Sequence, residues 1–546
     1  MAVKDLNLRI EKGRTLGLVG ESGSGKSVTS LAVMQLLPPQ AKLDKGAVFF
    51  EGTNLLELPF EKMRQLRGNR MSMIFQEPMT ALNPVVRCGK QVEEILKIHG
   101  RFSGKAAKQK VLELFNKVKL PRPETLYNSY PHELSGGQKQ RIMIAMAIAN
   151  EPSLLIADEP TTALDVTVQK EILNLLKELK EEYGMSLLFI THDLGVVAEI
   201  ADEVAVMLKG EIVEQGSVQQ ILNHPQHPYT KGLMACRPPL DHRPEKLAVV
   251  SDFLSGKTPS VKNEQKKERV KKLRSLYRQQ ELLKTEDLWV RYVIKKNLWG
   301  KPKKWLDAVQ KASFDVFPGE TLGLVGESGC GKTTLGRAVL RLIEPASGKI
   351  YFEGNELLGL PKKAMKQYRK KMNIVFQDPY SSLNPRLSIG QAVMEPMTVH
   401  KLYGNRKERK RKVVELLEKV GLKAEHFDRY PHEFSGGQRQ RVVIARALAF
   451  QPKFIICDEA VSALDVSVQA MVLNLLNDLK KEYGFTYIFI SHDLSVVRYM
   501  SDRIMVMQNG KIIEVGEADE LFYHPKTSYT KRLLSSIPGV NVKYPE

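Results

Sequence analysis

Cysteine is scarce: Cys88, Cys236, Cys330 and Cys457 are the only four in 546 residues, and no two stand as a CxxC pair. That scatter excludes a disulfide framework and a zinc or iron–sulfur site built from this chain alone. Reduced, structural thiols are the expectation. Long hydrophobic runs are missing too. No stretch of about 18 or more apolar residues occurs, so no membrane-spanning helix is predicted. The opening residues MAVKDLNLRIEKG carry charges where a secretory apolar segment would lie, so export is not expected. What remains, 42% apolar and 26% charged residues, is ordinary for a soluble globular protein. The charge is one-sided. A net +20 suits anionic neighbours: nucleic acid, anionic lipid surfaces or anionic ligands. Part of that excess is local, with ten Lys or Arg against three Glu between Lys257 and Lys284.

What is present is a duplication. GESGSGKS (Gly20–Ser27), LSGGQ (Leu134–Gln138), LLIADEP (Leu154–Pro160) and His192 recur as GESGCGKT (Gly326–Thr333), FSGGQ (Phe434–Gln438), FIICDEA (Phe454–Ala460) and His492. The copies are offset by 306 residues at the first motif and by 300 at the others. One long period means two homologous domains rather than a solenoid of short repeats. The first unit is read as residues 1–240, ending in a Pro-rich stretch, and the second as residues 284–546. Residues 241–283 are read as a basic, solvated linker with a short helix through Val270, Leu273, Leu276 and Tyr277. Within each unit short apolar strands alternate with helical segments such as VTVQKEILNLLKELKEEYG. That alternation predicts an α/β fold with a parallel-sheet core covered on both faces. Between Gln76 and Ser135 the pattern turns helical (QVEEILKIHG, KQKVLELFNKV), which predicts a helical subdomain inserted into the core.

The chemistry follows from residue types at fixed spacing. GxxxxGK[ST], after a strand and opening a helix, is a phosphate loop. Its backbone N–H groups cradle phosphate oxygens, and the helix N-terminus adds a favourable dipole. The loop residues are Gly20, Ser22, Gly23 and Gly25, and Gly326, Ser328, Gly329 and Gly331. Lys26 and Lys332 reach the terminal phosphates, and Ser27 and Thr333 offer a hydroxyl to Mg²⁺. Asp158 and Asp458 end apolar strands and would hold Mg²⁺ through water. Glu159 and Glu459, one residue on, would polarise the attacking water as general bases. His192 and His492 end the next apolar strand, within reach of a γ-phosphate. Gln76 and Gln377 follow SMIF and NIVF, where each can touch the metal and lead into the helical insert.

On these motifs the chain resembles a tandem ATP-binding cassette (ABC) transporter ATPase. QEPMTALNP (Gln76–Pro84), QDPYSSLNP (Gln377–Pro385), ALDVTVQ, ALDVSVQ and the HP…YTK tails near His224 and His524 resemble the dipeptide, oligopeptide and nickel importer class. That class normally has two ATPase subunits; this chain is similar to the fused form found in glutathione importers. The resemblance implies ATP and Mg²⁺ as cofactors and a head-to-tail sandwich. ATP on Lys26 would be closed by Ser435, Gly436 and Gly437, and ATP on Lys332 by Ser135, Gly136 and Gly137. It further implies a peripheral protein on the cytoplasmic side of the inner membrane. There it would energise import of peptides or related small solutes through permease subunits and, through them, a solute-binding protein. No nucleic acid is expected. The competing reading is a soluble tandem ABC ATPase acting on ribosomes or other nucleic acid, which the charge would suit. Such proteins usually lack the QDPxxSLNP run and the HP…YTK tails.

The first half departs from that pattern. Alignment of Gly20 with Gly326 puts Ala2 on Ala308, and nothing in the first half matches Lys284 to Asp307. In the family this region supplies the first strand and an aromatic that stacks on adenine. Tyr292 is the candidate in the second half, with Trp289, Trp299 and Trp305 competing. Either the true start is longer, or the first adenine lacks its platform and the small antiparallel sheet of the first half is incomplete. Base stacking is worth roughly 1–3 kcal/mol. At about 1.4 kcal/mol per tenfold, the Lys26 site is then expected to bind ATP roughly five- to a hundred-fold more weakly.

Overall fold

The computed structural model describes residues 2–76, 81–100, 102–162, 164–256, 262–297 and 302–537. Trp299, residues 77–80 of the QEPMTALNP run, Ala163 of the TALD loop and the tail residue Pro538 lie outside the described residues. The chain forms two compact units: Met1–Met234 with Val250–Lys257, and Ala235–Val249 with Thr258–Glu546.

In the first unit six strands form one sheet. Their spatial order is Met71–Ile74, Leu154–Asp158, Ser186–Thr191, Thr15–Val19, Glu203–Leu208 and Glu211–Ser217. The first five run parallel and the last is antiparallel. Strands buried on both faces read as continuous apolar runs rather than alternating ones. TLGLV is buried along its whole length, as is SLLFIT. The phosphate-loop strand therefore lies in the middle, beside the strand that ends at Thr191, with the Asp158 strand next but one. Parallel strands bring their carboxyl ends to one edge, where ligands bind in open α/β sheets. Gly20, Asp158, Glu159 and His192 all follow such ends.

The second unit repeats this sheet as Met372–Val375, Phe454–Asp458, Thr486–Ile490, Thr321–Val325, Arg503–Gln508 and Lys511–Glu517. The helical inserts are present in both. Cys88–Ile98 and Gly104–Lys117 bury Val92, Leu96, Val111 and Phe115; Ile389–Val399 and Arg406–Lys419 bury Val393, Met397, Val413 and Leu417.

The units differ in their small antiparallel sheet. The second has four strands, ordered Pro302–Val316, Leu283–Lys296, Ser347–Phe352 and Asn355–Glu356. The described residues of the first form two short ones, Phe49–Phe50 and Thr53–Asn54. Val309, Ala312 and Val316 are fully buried, whereas Val3, Leu6 and Ile10 at the matching positions are only partly so.

The connector is not the solvated segment read from composition. Helix Lys266–Leu276 buries Leu273 and Leu276 in the second unit. Arg269, its side chain 6% exposed, donates to Glu517 Oε1 at 2.6 Å and to the Ser501 carbonyl at 3.2 Å. Lys272 reaches Asp502 Oδ1 at 3.2 Å, and Lys246 reaches Asp478 at 2.7 Å. These cations neutralise carboxylates of their own protein. A charged linker is docked here because burying Glu517 or Asp502 without a counter-charge would be costly.

Candidate active site

Each phosphate loop runs from a central strand into a helix: Thr15–Val19 into Lys26–Val33, and Thr321–Val325 into Lys332–Val339. The last turn before the helix is left-handed, with φ of 109° at Gly25 and 110° at Gly331. A Cβ there would also lie 2.6 Å from the Ala2 carbonyl oxygen, or 2.3 Å from that of Ala308. Only glycine meets both demands. Ser22, Gly23, Ser328 and Gly329 form the turn between. The lysines are buried and folded back. Lys26 Nζ donates to the Gly20 and Glu21 carbonyls at 2.7 and 2.9 Å, and Lys332 Nζ to those of Gly326 and Glu327 at the same distances.

Around each loop the sheet gathers the predicted side chains. Ser27 Oγ donates to Asp158 Oδ1 at 3.2 Å, and Thr333 Oγ1 to Asp458 Oδ1 at 2.8 Å. Gln76 Nε2 donates to Glu159 Oε2 at 3.1 Å, and Gln377 Nε2 to Glu459 Oε2 at 2.7 Å. His192 Nδ1 lies 3.4 Å from Glu159 Oε2 and His492 Nδ1 3.8 Å from Glu459 Oε2. Two contacts escaped sequence reasoning: Thr162 Oγ1 donates to Glu159 Oε2 at 2.8 Å, and Ser462 Oγ to the Glu459 carbonyl at 2.9 Å. A hydroxyl at the same offset in both halves was the available signal. Both glutamates are held at left-handed φ, 47° and 48°. Non-glycine residues adopt that conformation at a cost of order 1–3 kcal/mol, a strain that concentrates at functional sites.

The two carboxylates of each pair are driven apart electrically. Burial pushes Asp158 and Asp458 up, with Ser27 and Thr333 opposing. Burial also pushes Glu159 up, but His192, Thr162 and Lys26 outweigh it and bring its carboxyl down to about 2. Glu459 is likewise held below the usual carboxylate range: burial raises it, and His492 and Lys332 more than reverse that. A charged, hydrogen-bonded glutamate beside a buried aspartate is a pair with separated tasks. The aspartate also has unmet capacity. Asp458 Oδ2 is buried with no hydrogen-bond partner. A carboxylate oxygen beside a threonine hydroxyl is a hard donor pair of the kind Mg²⁺ takes together with substrate phosphates. Among the described residues no three His, Cys, Asp or Glu side chains gather as a metal cage. The residues present thus fit a partly hydrated cation.

The signature residues keep to their own helices. Ser135 and Ser435 cap Gly136–Ile148 and Gly436–Leu448, each accepting from the N–H of Gln138 or Gln438 at 3.3 Å. Gly137 and Gly437 allow close packing: a Cβ would lie 2.8 Å from Val168 Cγ1 in one and 2.2 Å from Val468 Cγ1 in the other. Gly136 and Gly436 stand at the exposed first turn. Tyr292 is 39% exposed, and its hydroxyl lies 3.4 Å from Thr334 Oγ1 on the phosphate-loop helix. Trp289 donates instead to Asp307 Oδ1 at 2.9 Å, and Trp305 is half exposed.

A phosphate loop on the central strand, a Ser or Thr bonded to the first carboxylate, a charged glutamate and a facing histidine define a nucleotide-triphosphate hydrolase, present here twice. Comparison with known proteins agrees. The ABC transporter family model matches residues 3–162 and 309–462, and the model of the oligopeptide/dipeptide transporter C-terminal region matches residues 213–266 and 513–545. The glutathione import ATP-binding protein GsiA of Pectobacterium atrosepticum is 47% identical over 544 residues, 98% of this chain and 86% of that protein. Its namesake in Escherichia coli K12 is 46% identical over 549 residues, with the same coverage. Among solved structures, the ATP-binding cassette MJ0796, a dimer in a post-hydrolysis state bound to ADP and Pi, is 28% identical with a TM-score of 0.39, covering 43% of this chain and 98% of that one. The chain belongs to the ABC transporter ATP-binding family, whose activity is ATP hydrolysis. The transporter reading is favoured over the ribosomal one. Among the described residues no helix is long and apolar enough to cross a membrane.

Proposed function

We propose that this chain hydrolyses ATP at two sites to drive import of peptides or related small solutes through a partner permease. It would work as a peripheral protein on the cytoplasmic face of the inner membrane, with the cargo delivered by a solute-binding protein. The observation that carries this reading is that both halves hold the full Lys–Asp–Glu–His–Gln set and the tail region of oligopeptide and dipeptide transporters. The 46–47% identity with glutathione importers points to glutathione-like peptides as the substrate class.

In this reading ATP phosphates join the Gly20 and Glu21 carbonyls as partners of Lys26, whose ammonium has a third donor to give, and join those of Gly326 and Glu327 as partners of Lys332. Asp158 with Ser27, and Asp458 with Thr333, would hold Mg²⁺, with Gln76 and Gln377 at its margin. The ion supplies charge neutralisation at the phosphates. Glu159 and Glu459 take the proton of the attacking water, and His192 and His492 meet the γ-phosphate. Tyr292 stacks on adenine at the Lys332 site. Ser135, Gly136 and Gly137, and Ser435, Gly436 and Gly437, are the further γ-phosphate contacts this reading assigns. A serine hydroxyl and glycine N–H groups at a helix start are suited to a γ-phosphate.

The test is co-expression with permease subunits of the peptide importer class, followed by ATP turnover in proteoliposomes across peptides and glutathione. Co-purification and a solute-stimulated rate support the reading. No ATP turnover with the permease present refutes it.

A further inference from the structure

The HP…YT tails mark the subfamily, yet no step above uses them. Their tyrosines are buried against the phosphate loops. Tyr229, 0% exposed, accepts the Glu21 backbone N–H at 3.0 Å; Tyr529, 5% exposed, accepts that of Glu327 at 3.1 Å. The contact recurs in both units at matched positions, which a chance packing contact would not require.

The hydrogen bond falls on a telling peptide. The N–H of Glu21 and the C=O of Gly20 belong to one planar trans unit and point to opposite sides. Tyr229 holds the N–H edge, while the C=O edge accepts Lys26 Nζ at 2.7 Å. Gly326 and Glu327 repeat this with Tyr529 and Lys332. Fixing one edge fixes the other, so the phenol sets the direction of the carbonyl on which the phosphate-binding lysine rests.

The tyrosine is itself anchored. Glu514, on the antiparallel strand Lys511–Glu517, accepts the N–H groups of Lys526 and Thr527 at 2.8 and 3.1 Å and the Thr530 hydroxyl at 2.6 Å. Glu214 accepts the N–H groups of Gln226 and His227 at 2.7 and 3.1 Å. Each tail is thereby pinned to the sheet edge within its HP…YT turn, at Gln226 and His227 in the first unit and at Lys526, Thr527 and Thr530 in the second. Burial also pushes the Tyr529 phenol up to about 12, so it stays neutral at working pH.

We propose that Tyr229 and Tyr529 are positioning residues of the two ATP sites, and that the tail segment acts as a brace which preorganises each phosphate loop for the triphosphate. The proposal rests on the ATP reading above. Tyr229→Phe, Tyr529→Phe and the double variant are compared with wild type in the full chain. The readouts are equilibrium binding of a fluorescent ATP analogue, steady-state KM and kcat for ATP, and melting without nucleotide. A net neutral hydrogen bond of ordinary strength corresponds to about a two- to tenfold change. Each single variant is expected to weaken one class of site by that factor, the double variant both, with KM raised and kcat at saturating ATP within about twofold of wild type.

Wild-type affinities in the double variant overturn the proposal, whatever happens to melting. A lowered melting temperature with unchanged KM does so too, because it shows packing alone. A second probe keeps the fold intact: 3-fluorotyrosine at position 529 retains ring and hydroxyl but weakens the oxygen as an acceptor. A smaller loss of affinity and a fluorine signal that moves on adding ATP support the brace; an unmoved signal with wild-type affinity refutes it. If wild type itself binds no ATP, the ATP reading fails first, which these variants would reveal as uniform silence.

Discussion

Replacing one glutamate tests both the chemistry and its coupling. Glu159→Gln keeps the size of the side chain and an oxygen for the Thr162 hydroxyl, now 2.8 Å from Glu159 Oε2. It removes the charge that His192 and Lys26 stabilise. The backbone can remain at φ 47°, since the substitution leaves Cβ unchanged. What is lost is a base. Positioned general bases contribute about 10²- to 10⁴-fold, or roughly 3–5 kcal/mol of barrier at the edited site. Two outcomes then separate. If the sites fire independently, turnover falls to about half. If each closure needs both nucleotides, Glu159→Gln and Glu459→Gln each bring transport-coupled turnover below about a tenth of wild type. The assay is phosphate release from proteoliposomes containing the permease, at saturating ATP, with melting temperature as a folding control. An unchanged rate in either variant refutes the base assignment. A halved rate in both keeps the base and refutes the coupling.

Three further outcomes follow from particular contacts. Tyr292→Ala is expected to weaken ATP at the Lys332 site by roughly five- to a hundred-fold, the worth of one base stack, read by fluorescent nucleotide titration. Gly437→Ala places a methyl where Val468 Cγ1 lies 2.2 Å away. Overpacking of this kind costs about 1–3 kcal/mol, and adding Val468→Ala should recover part of it in denaturant melts. In the first helical insert, burial pushes Glu93 up but hydrogen bonds from Tyr127, Lys97 and Lys90 bring it down to about 2. A folded pKa lowered in this way contributes stability above the unfolded value and loses it as pH falls toward the folded one. Glu93→Gln should therefore melt below wild type at pH 7, and the gap should close as pH falls from about 4.5 toward 2.

The core strands were legible because buried parallel strands need unbroken apolar runs, and TLGLV, LLIAD and FIICD are such runs. The side chains that gather at the candidate site were legible because phosphate binding is built from contiguous residues at fixed spacing. The difference between the two small sheets was legible from alignment of the two halves. What sequence did not reveal depends on partners far along the chain. Arg269 reads as one cation in a solvated basic stretch, yet its carboxylate partner Glu517 is 248 residues away. Tyr229 reads as a tail residue, yet it bonds Glu21 from 208 residues off. The left-handed backbone at Glu159 was equally hidden, since glutamate has no preference for it.

In the proposed function the hydrogen bond between glutamine and glutamate is a route by which hydrolysis could become movement. Gln76 and Gln377 stand at the exits of strands Met71–Ile74 and Met372–Val375, where the chain leaves the sheet for the helical insert. Each donates to the same oxygen, Oε2, that faces the histidine. That oxygen is also the one a water would approach. In the proposed function a bound triphosphate with its water would compete with the glutamine for it. Under the proposed function, Gln76 and Gln377 would be tethered to the glutamate carboxylate in one state and released in the other. A two-state tether of this kind passes on as much free energy as the ligand's difference in affinity between the states, and no more. A site lacking either residue could still bind ATP or still move, but binding and movement would no longer be the same equilibrium.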